Sequence, residues 1–163
     1  MPCIWGQHNN SQVFLNVGIV DAAIINIQSL TRGGVPLPSP QMFKALVDTG
    51  AQRTMISTSV VQTLNLVPIG KIGISGVGSS KFHNGYLFHV FFVTPVLPLA
   101  GQVPPPGSPI SALLHLRPTP IYGAEMDPAM TLQTVGFDVL LGMDVISMGS
   151  LKIEGNGTFS FSF

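Results

Sequence analysis

A chain of 163 residues with 45% apolar content is long enough for one domain with a substantial core. Only 9% of residues are charged and the formal net charge is zero, so there is no electrostatic footprint for nucleic acid or an anionic membrane, and a lightly charged surface favours self-association. The single cysteine, Cys3, excludes an intrachain disulfide and a thiolate metal cluster.

The N-terminus has no basic segment followed by an apolar run, so no secretory signal is expected and the expected location is cytoplasmic. The most apolar window, residues 86–100, is interrupted by Pro95 and Pro98 and falls short of the roughly 20 residues of a membrane span. Residues 12–20 and 22–27 are rich in β-branched and aliphatic side chains with Asp21 between them, which predicts a first hairpin. A loop with Arg32, Gly33 and Gly34 follows over residues 28–41. Residues 43–48 and 54–57 are predicted strands on either side of a polar turn.

Thr58 to Leu66 places Val60, Val61 and Leu64 at helical spacing behind a Ser/Thr cap and ahead of Pro68, which predicts one short helix. Residues 69–74 and 86–93 read as strands joined by a glycine-rich, mobile tip over 75–85. Residues 94–130 read as a long proline-rich insertion, with a possible short strand at 113–116. Residues 131–141 are a predicted strand, 142–148 a short helix, and 151–153 with 158–163 a closing hairpin about Gly155-Asn156-Gly157. The fold class predicted is therefore all-β, a closed barrel of short strands with one or two short helices, in a single domain over residues 1–163.

The chemistry concentrates in Ala45-Leu46-Val47-Asp48-Thr49-Gly50-Ala51-Gln52-Arg53-Thr54-Met55-Ile56-Ser57. Apolar runs on both sides of Asp48-Thr49-Gly50 set a carboxylate at the end of a buried strand. The bare tripeptide also reads as an ordinary turn. Taken with its flanks, however, Asp48-Thr49-Gly50-Ala51 resembles the active-site loop of the retropepsin-like aspartic proteases. Downstream, Phe137-Asp138-Val139-Leu140-Leu141-Gly142-Met143-Asp144-Val145-Ile146 resembles the hydrophobic-hydrophobic-Gly strand and short helix of the same family. The gap between the two motifs is longer than is usual there. Gln52 stands where many viral members carry an acid, which brings the chain closer to the cellular and bacterial members.

An aspartic protease cleaves with two carboxylates that share one proton, one acting as base and the other as acid. The chain has one Asp-Thr-Gly, and Asp21, Asp127, Asp138 and Asp144 lack the following Thr/Ser-Gly. The resemblance therefore implies a homodimer in which Asp48 of each copy meets at the two-fold axis. It further implies that Thr49 holds the carboxylates coplanar by bonding across the pair. Gly50 would let substrate backbone approach, and Ala51 and Gln52 would line the cleft. Gly76-Val77-Gly78 resembles the flap that closes over a bound peptide, and as residues alone it reads equally as a surface hairpin. Phe159, Phe161 and Phe163 read either as core or as part of an inter-subunit sheet.

No cofactor or metal is expected, since His8, His83, His89 and His115 have no ligand spacing. The partners expected are a second copy and a peptide or protein substrate, with no nucleic acid and no membrane. The activity implied is an aspartic endopeptidase. The alternatives are a non-catalytic retropepsin-like module that dimerises or binds peptides, and a barrel that binds a small apolar ligand.

Overall fold

A computed structural model describes residues 2–9, 12–24, 39–76, 79–95, 112–116, 119–129 and 135–163. Its strands are β1 Cys3–Gln7, β2 Val13–Asp21, β3 Gln41–Val47, β4 Met55–Ile56, β5 Gly70–Gly76, β6 Ser79–Pro95, β7 Ala112–Leu116, β8 Ile121–Glu125, β9 Val139–Leu141, β10 Ser150–Ile153 and β11 Thr158–Ser162. Two short helices accompany them among the described residues, α1 Thr58–Leu64 and α2 Met143–Ile146.

The pairing order β2-β3-β9-β4-β8-β6 returns to β2 through a β2–β6 ladder, closing a six-stranded barrel, and β5 and β7 pair with β6 outside this ring. The all-β barrel expected from the residues is the fold. Closure removes the sheet edges that an open antiparallel sheet would leave to solvent. The alternation of β2 explains which side faces in: Val13, Leu15, Val17 and Ile19 are all buried. Phe88, Val90 and Phe92 of β6, Val139 and Leu141 of β9, and Phe159 and Phe161 of β11 join them in one core.

Strand β6 is the spine. Residues 79–85 pair with β5, 85–88 with β8, 88–92 with β2 and 91–95 with β7. The glycine-rich segment 75–85 is thus mostly paired strand rather than loop, because its backbone donors and acceptors are consumed by a two-stranded ladder with β5. At its base the Tyr122 hydroxyl lies where a Cβ on Gly70 or Gly85 would sit, 2.6 and 2.5 Å away, so both positions must be glycine for the ring to lodge there. Glu125 secures the same region by accepting from Thr58 of α1 and from Asn84 and Tyr86 of β6. Burial alone would raise the Glu125 carboxyl, but the hydrogen bonds from Asn84, Thr58 and Tyr86 and the Lys71 charge outweigh it and hold it below its usual range. The same burial, with Glu125 alongside, pushes the Tyr86 phenol up.

Several expected elements differ. β2 pairs with β3 and β6, not with the segment after it. Ala22 to Ile24 form a turn, and residues 25–27 lie outside the described residues, as does most of the 28–41 loop. Residues 94–130 are not wholly an insertion, since Ile121–Glu125 is a barrel strand between β4 and β6 and Ala112–Leu116 pairs with β6, close to the short strand expected there. Of the strand expected over 131–141, only Val139–Leu141 is strand; 135–138 is irregular and 131–134 lies outside the described residues. Helix α1 follows expectation at its start, where the Ser57 hydroxyl accepts from the Val60 amide. It stops at Asn65, which takes the left-handed conformation, and not at Pro68.

Residues 151–163 form the expected closing hairpin, and Cys3–Gln7, which carried no strand signal, completes a three-stranded sheet in the order β1-β11-β10. Both edges of β11 are therefore bonded within the chain. Phe161 and Phe163 cluster with Phe92, at centroid separations of 5.4 and 4.6 Å from that ring, which ties this sheet to the barrel. Phe159 and Phe161 pack in the core, one of the two roles open to the C-terminal phenylalanines. Among the described residues no helix is long and apolar enough to cross a membrane.

Candidate active site

The loop that carries Asp48 is braced from below by β9. This strand runs parallel to β3 and antiparallel to β4, so it lies between the two arms of the loop. The Asp48 amide donates to the Leu141 carbonyl at 3.0 Å, which sets the carboxylate at the C-terminal end of β3, half-buried. One carboxylate oxygen accepts from the Gly50 amide at 2.8 Å, a turn made by the side chain over its own loop. A Cβ on Gly50 would stand 3.2 Å from that oxygen and crowd it, so glycine here keeps the carboxylate seated and its approach open. Thr49 and Gly50 are exposed.

The far arm is held by a second device. The buried Thr54 amide reaches both carboxylate oxygens of Asp144 at 3.0 Å, and its hydroxyl donates to one of them at 2.7 Å while accepting from the Gly142 amide at 3.1 Å. The Met143 and Asp144 amides donate to the carbonyls of Ala51 and Gln52. Gly142 lies so close beneath that a Cβ there would be 2.4 Å from the Arg53 carbonyl carbon. The Asp48 loop and the Gly142 turn are thus one packed unit, and Asp144 is the polar pin that joins them. Asparagine can keep the oxygen that accepts from both the Thr54 amide and hydroxyl. It puts an amino group 3.0 Å from the Thr54 amide in place of the second oxygen, setting two donors face to face, and removes the charge that strengthens the remaining bonds. Asp144→Asn is expected to lose about 2 kcal/mol in urea unfolding. An unchanged midpoint would contradict the role.

A cleft of about 400 Å³ opens beside this loop, lined by Gly50, Ala51, Gln52, Arg53 and Met55 on one side and Gly73, Ile74 and Ser75 of β5 on the other. Ala51 and Gln52, singled out from the sequence, stand here. Gly76 ends β5, while Val77 and Gly78 lie outside the described residues. Arg53, which the residues place next to Gln52 as a change to the subsite, lines the cleft too; the β5 wall and the contribution of Met55 were not assigned from the residues. The alternation of Ile72 and Ile74 with Lys71, Gly73 and Ser75 was the available signal for that wall.

The chain has seven Asp and Glu side chains; Asp21, like Asp48, accepts from the amide two residues on, and the other five bond other side chains. Asp21 accepts from the Ala23 amide at the opposite end of β2, about 26 Å along the strand from the residue that pairs with Val47. Asp127 pairs with Lys81, Glu154 with Lys152 and Asp138 with Ser59, while Glu125 and Asp144 are engaged as above. Among the described residues no group of three or more His, Cys, Asp or Glu side chains is placed to hold a metal ion.

No protein-family model matches this chain, and no curated protein matches it. Among solved structures it is similar to a retropepsin-like aspartic protease from Rickettsia conorii, with a TM-score of 0.50 and 12% sequence identity, over 98% of this chain and 89% of that one. At that identity the likeness is one of fold.

Proposed function

We propose that the protein is an aspartic endopeptidase that acts as a homodimer, one Asp48 coming from each copy. The observation that carries this reading is the state of the seven carboxylates. Asp48 is carried by the braced loop whose residues Gly50 to Arg53 line the cleft, whereas five of the other acids are bonded to other side chains and Asp21 lies at the far end of β2. A second carboxylate at the site then comes from a second molecule, and a two-fold axis through the loop supplies one at no further cost in sequence. The protease fold of the similar structure supports the same conclusion.

Two carboxylates about 3 Å apart cannot both ionise, so the pair holds one proton. The ionised member takes a proton from water as its oxygen attacks the scissile carbonyl, and the protonated member donates to the carbonyl oxygen. The tetrahedral diol then collapses as a proton passes to the leaving amine. Thr49 bonds across the pair to keep the carboxylates coplanar. Gly50 leaves room for the substrate backbone, Ala51 and Gln52 line its path, and Gly76, Val77 and Gly78 take the flap role that their resemblance implies.

The test is cleavage of a library of extended peptides by the intact chain, combined with sedimentation. Cleavage is expected to be blocked by a peptide mimic with a hydroxyl in place of the scissile carbonyl, and to be faster at acidic than at alkaline pH because the pair must keep its proton. A rate that stays flat from about pH 4 to pH 9, or a chain that remains monomeric at high concentration with such a mimic present, would rule the mechanism out. Peptide binding without hydrolysis would leave a non-catalytic binding module.

A further inference from the structure

We propose that Arg53 makes this cleft selective for acidic peptides, by pairing with a carboxylate side chain of the substrate close to the scissile bond; the inference deepens the endopeptidase reading and rests on it. Three observations carry it.

The first is position. Arg53 lines the cleft, on the same loop as Asp48. Its backbone cannot drift, because Gly142 packs directly against it, the carbonyls of Ala51 and Gln52 on its N-terminal side accept from Met143 and Asp144, and Thr54 after it is pinned by Asp144. Only the side chain is free to move, and it is exposed.

The second is the lack of an internal partner. The ion pairs among the described residues are Lys81–Asp127 and Lys152–Glu154, and Arg53 enters neither of them nor any side-chain hydrogen bond. None of the seven Asp and Glu side chains, Asp48 included, is within ion-pair distance of Arg53. A permanently charged fork of five donors is thus left without an acceptor among the described residues.

The third is the character of the wall. The remaining lining carries no charge, and Met55 and Ile74 contribute apolar surface. A carboxylate that enters meets one cation in the lining and less water than at an open surface. The one anion nearby is the Asp48 pair itself, so the acid is accepted only where the substrate chain holds it beside Arg53 and away from the scissile bond. Under those conditions a guanidinium binds a carboxylate through two parallel charge-assisted hydrogen bonds. Side chains of an extended peptide alternate between two faces, so only some positions of a substrate can present an acid to Arg53. A two-fold site carries two copies of Arg53, so the preference recurs on both sides of the scissile bond.

The experiment starts from a neutral extended peptide that the intact protein cleaves. Glutamate, glutamine or lysine is placed in turn at about four positions on each side of the cut. At one or more positions on each side, kcat/KM is expected to favour Glu over Gln by about tenfold at low salt, with the ratio shrinking as salt rises. Arg53→Gln is expected to bring that ratio to about one, and Arg53→Glu to shift the preference to Lys at the same positions. A ratio near one everywhere in the wild type, or a ratio that survives Arg53→Gln, overturns the proposal. Binding of the same peptides to Asp48→Asn protein, followed by fluorescence anisotropy, separates the two readings. If nothing is cut yet Glu peptides bind tighter than Gln peptides and Arg53→Gln abolishes the difference, acid selection stands and hydrolysis falls. Cleavage without a Glu preference leaves hydrolysis standing and sinks the selection, and peptides neither cut nor bound sink both.

Discussion

Asp48→Asn is expected to lower kcat for peptide cleavage by about ten-thousand-fold, near 5 kcal/mol of transition-state stabilisation, with the fold unchanged. Asparagine keeps the shape of the side chain, and its oxygen can still accept from the Gly50 amide at the 2.8 Å contact that shapes the loop, so thermal unfolding should hardly move. What it removes is the proton that must pass between water and the carboxylate pair. Mixing the variant with wild-type protein sharpens the result. If each site takes one Asp48 from each copy, only wild-type pairs are active, and equal amounts of the two chains should leave about a quarter of the activity that the total concentration would give as wild type. Independent sites would leave half. A variant that retains activity within tenfold of wild type, or a mixture that stays at half, places the chemistry somewhere other than a shared Asp48 pair.

Gly142→Ala is expected to destabilise the protein by about 3 kcal/mol and to depress cleavage with it. The new Cβ would lie 2.4, 2.6 and 2.8 Å from the carbonyl carbon, carbonyl oxygen and nitrogen of Arg53. These are backbone atoms, so no rotamer change relieves the contact, and the loop over residues 51–54 or the β9–α2 turn must shift. Either shift strains the bonds from Thr54 to Asp144 and from Met143 to Ala51 that locate the loop. For a chain of this size the midpoint should fall by roughly 6–12 °C. Gly155→Ala is the matched control: a Cβ there meets nothing within 4 Å, and its stability should stay within about 0.5 kcal/mol of wild type. Equal stability of the two variants would contradict the packing of Gly142 under the active loop.

The parts of this molecule legible in the residues were those whose cause is local. Apolar runs around Asp48-Thr49-Gly50 mark two strands and a turn, since a buried strand and an Asx turn each have a signature within a few residues. Ser57 ahead of Val60, Val61 and Leu64 marks helix α1 for the same reason, and the alternation of Phe159, Phe161 and Phe163 with Ser160 and Ser162 marks the last strand. Where pairing over long separations decides, the residues were silent or misleading. Cys3–Gln7 is a strand because β11 offers it an edge, and the glycines at 73, 76 and 85 sit in a ladder because β5 and β6 satisfy one another's backbone groups. Ile121–Glu125 looked like part of an insertion because the prolines before it dominate the local composition. Its place in the barrel depends on β4 and β6, which are distant in sequence.

By itself the sequence determined which carboxylate stands on a rigid turn, and that the chain folds as β-structure around it. The tertiary structure decided that five of the other acids bond distant or neighbouring side chains, that Gly142 must be bare, and that Arg53 lines a cleft whose other lining residues carry no charge. Such facts depend on which distant segments touch, and contact across a closed barrel is set by the whole pairing order rather than by any run of neighbouring residues.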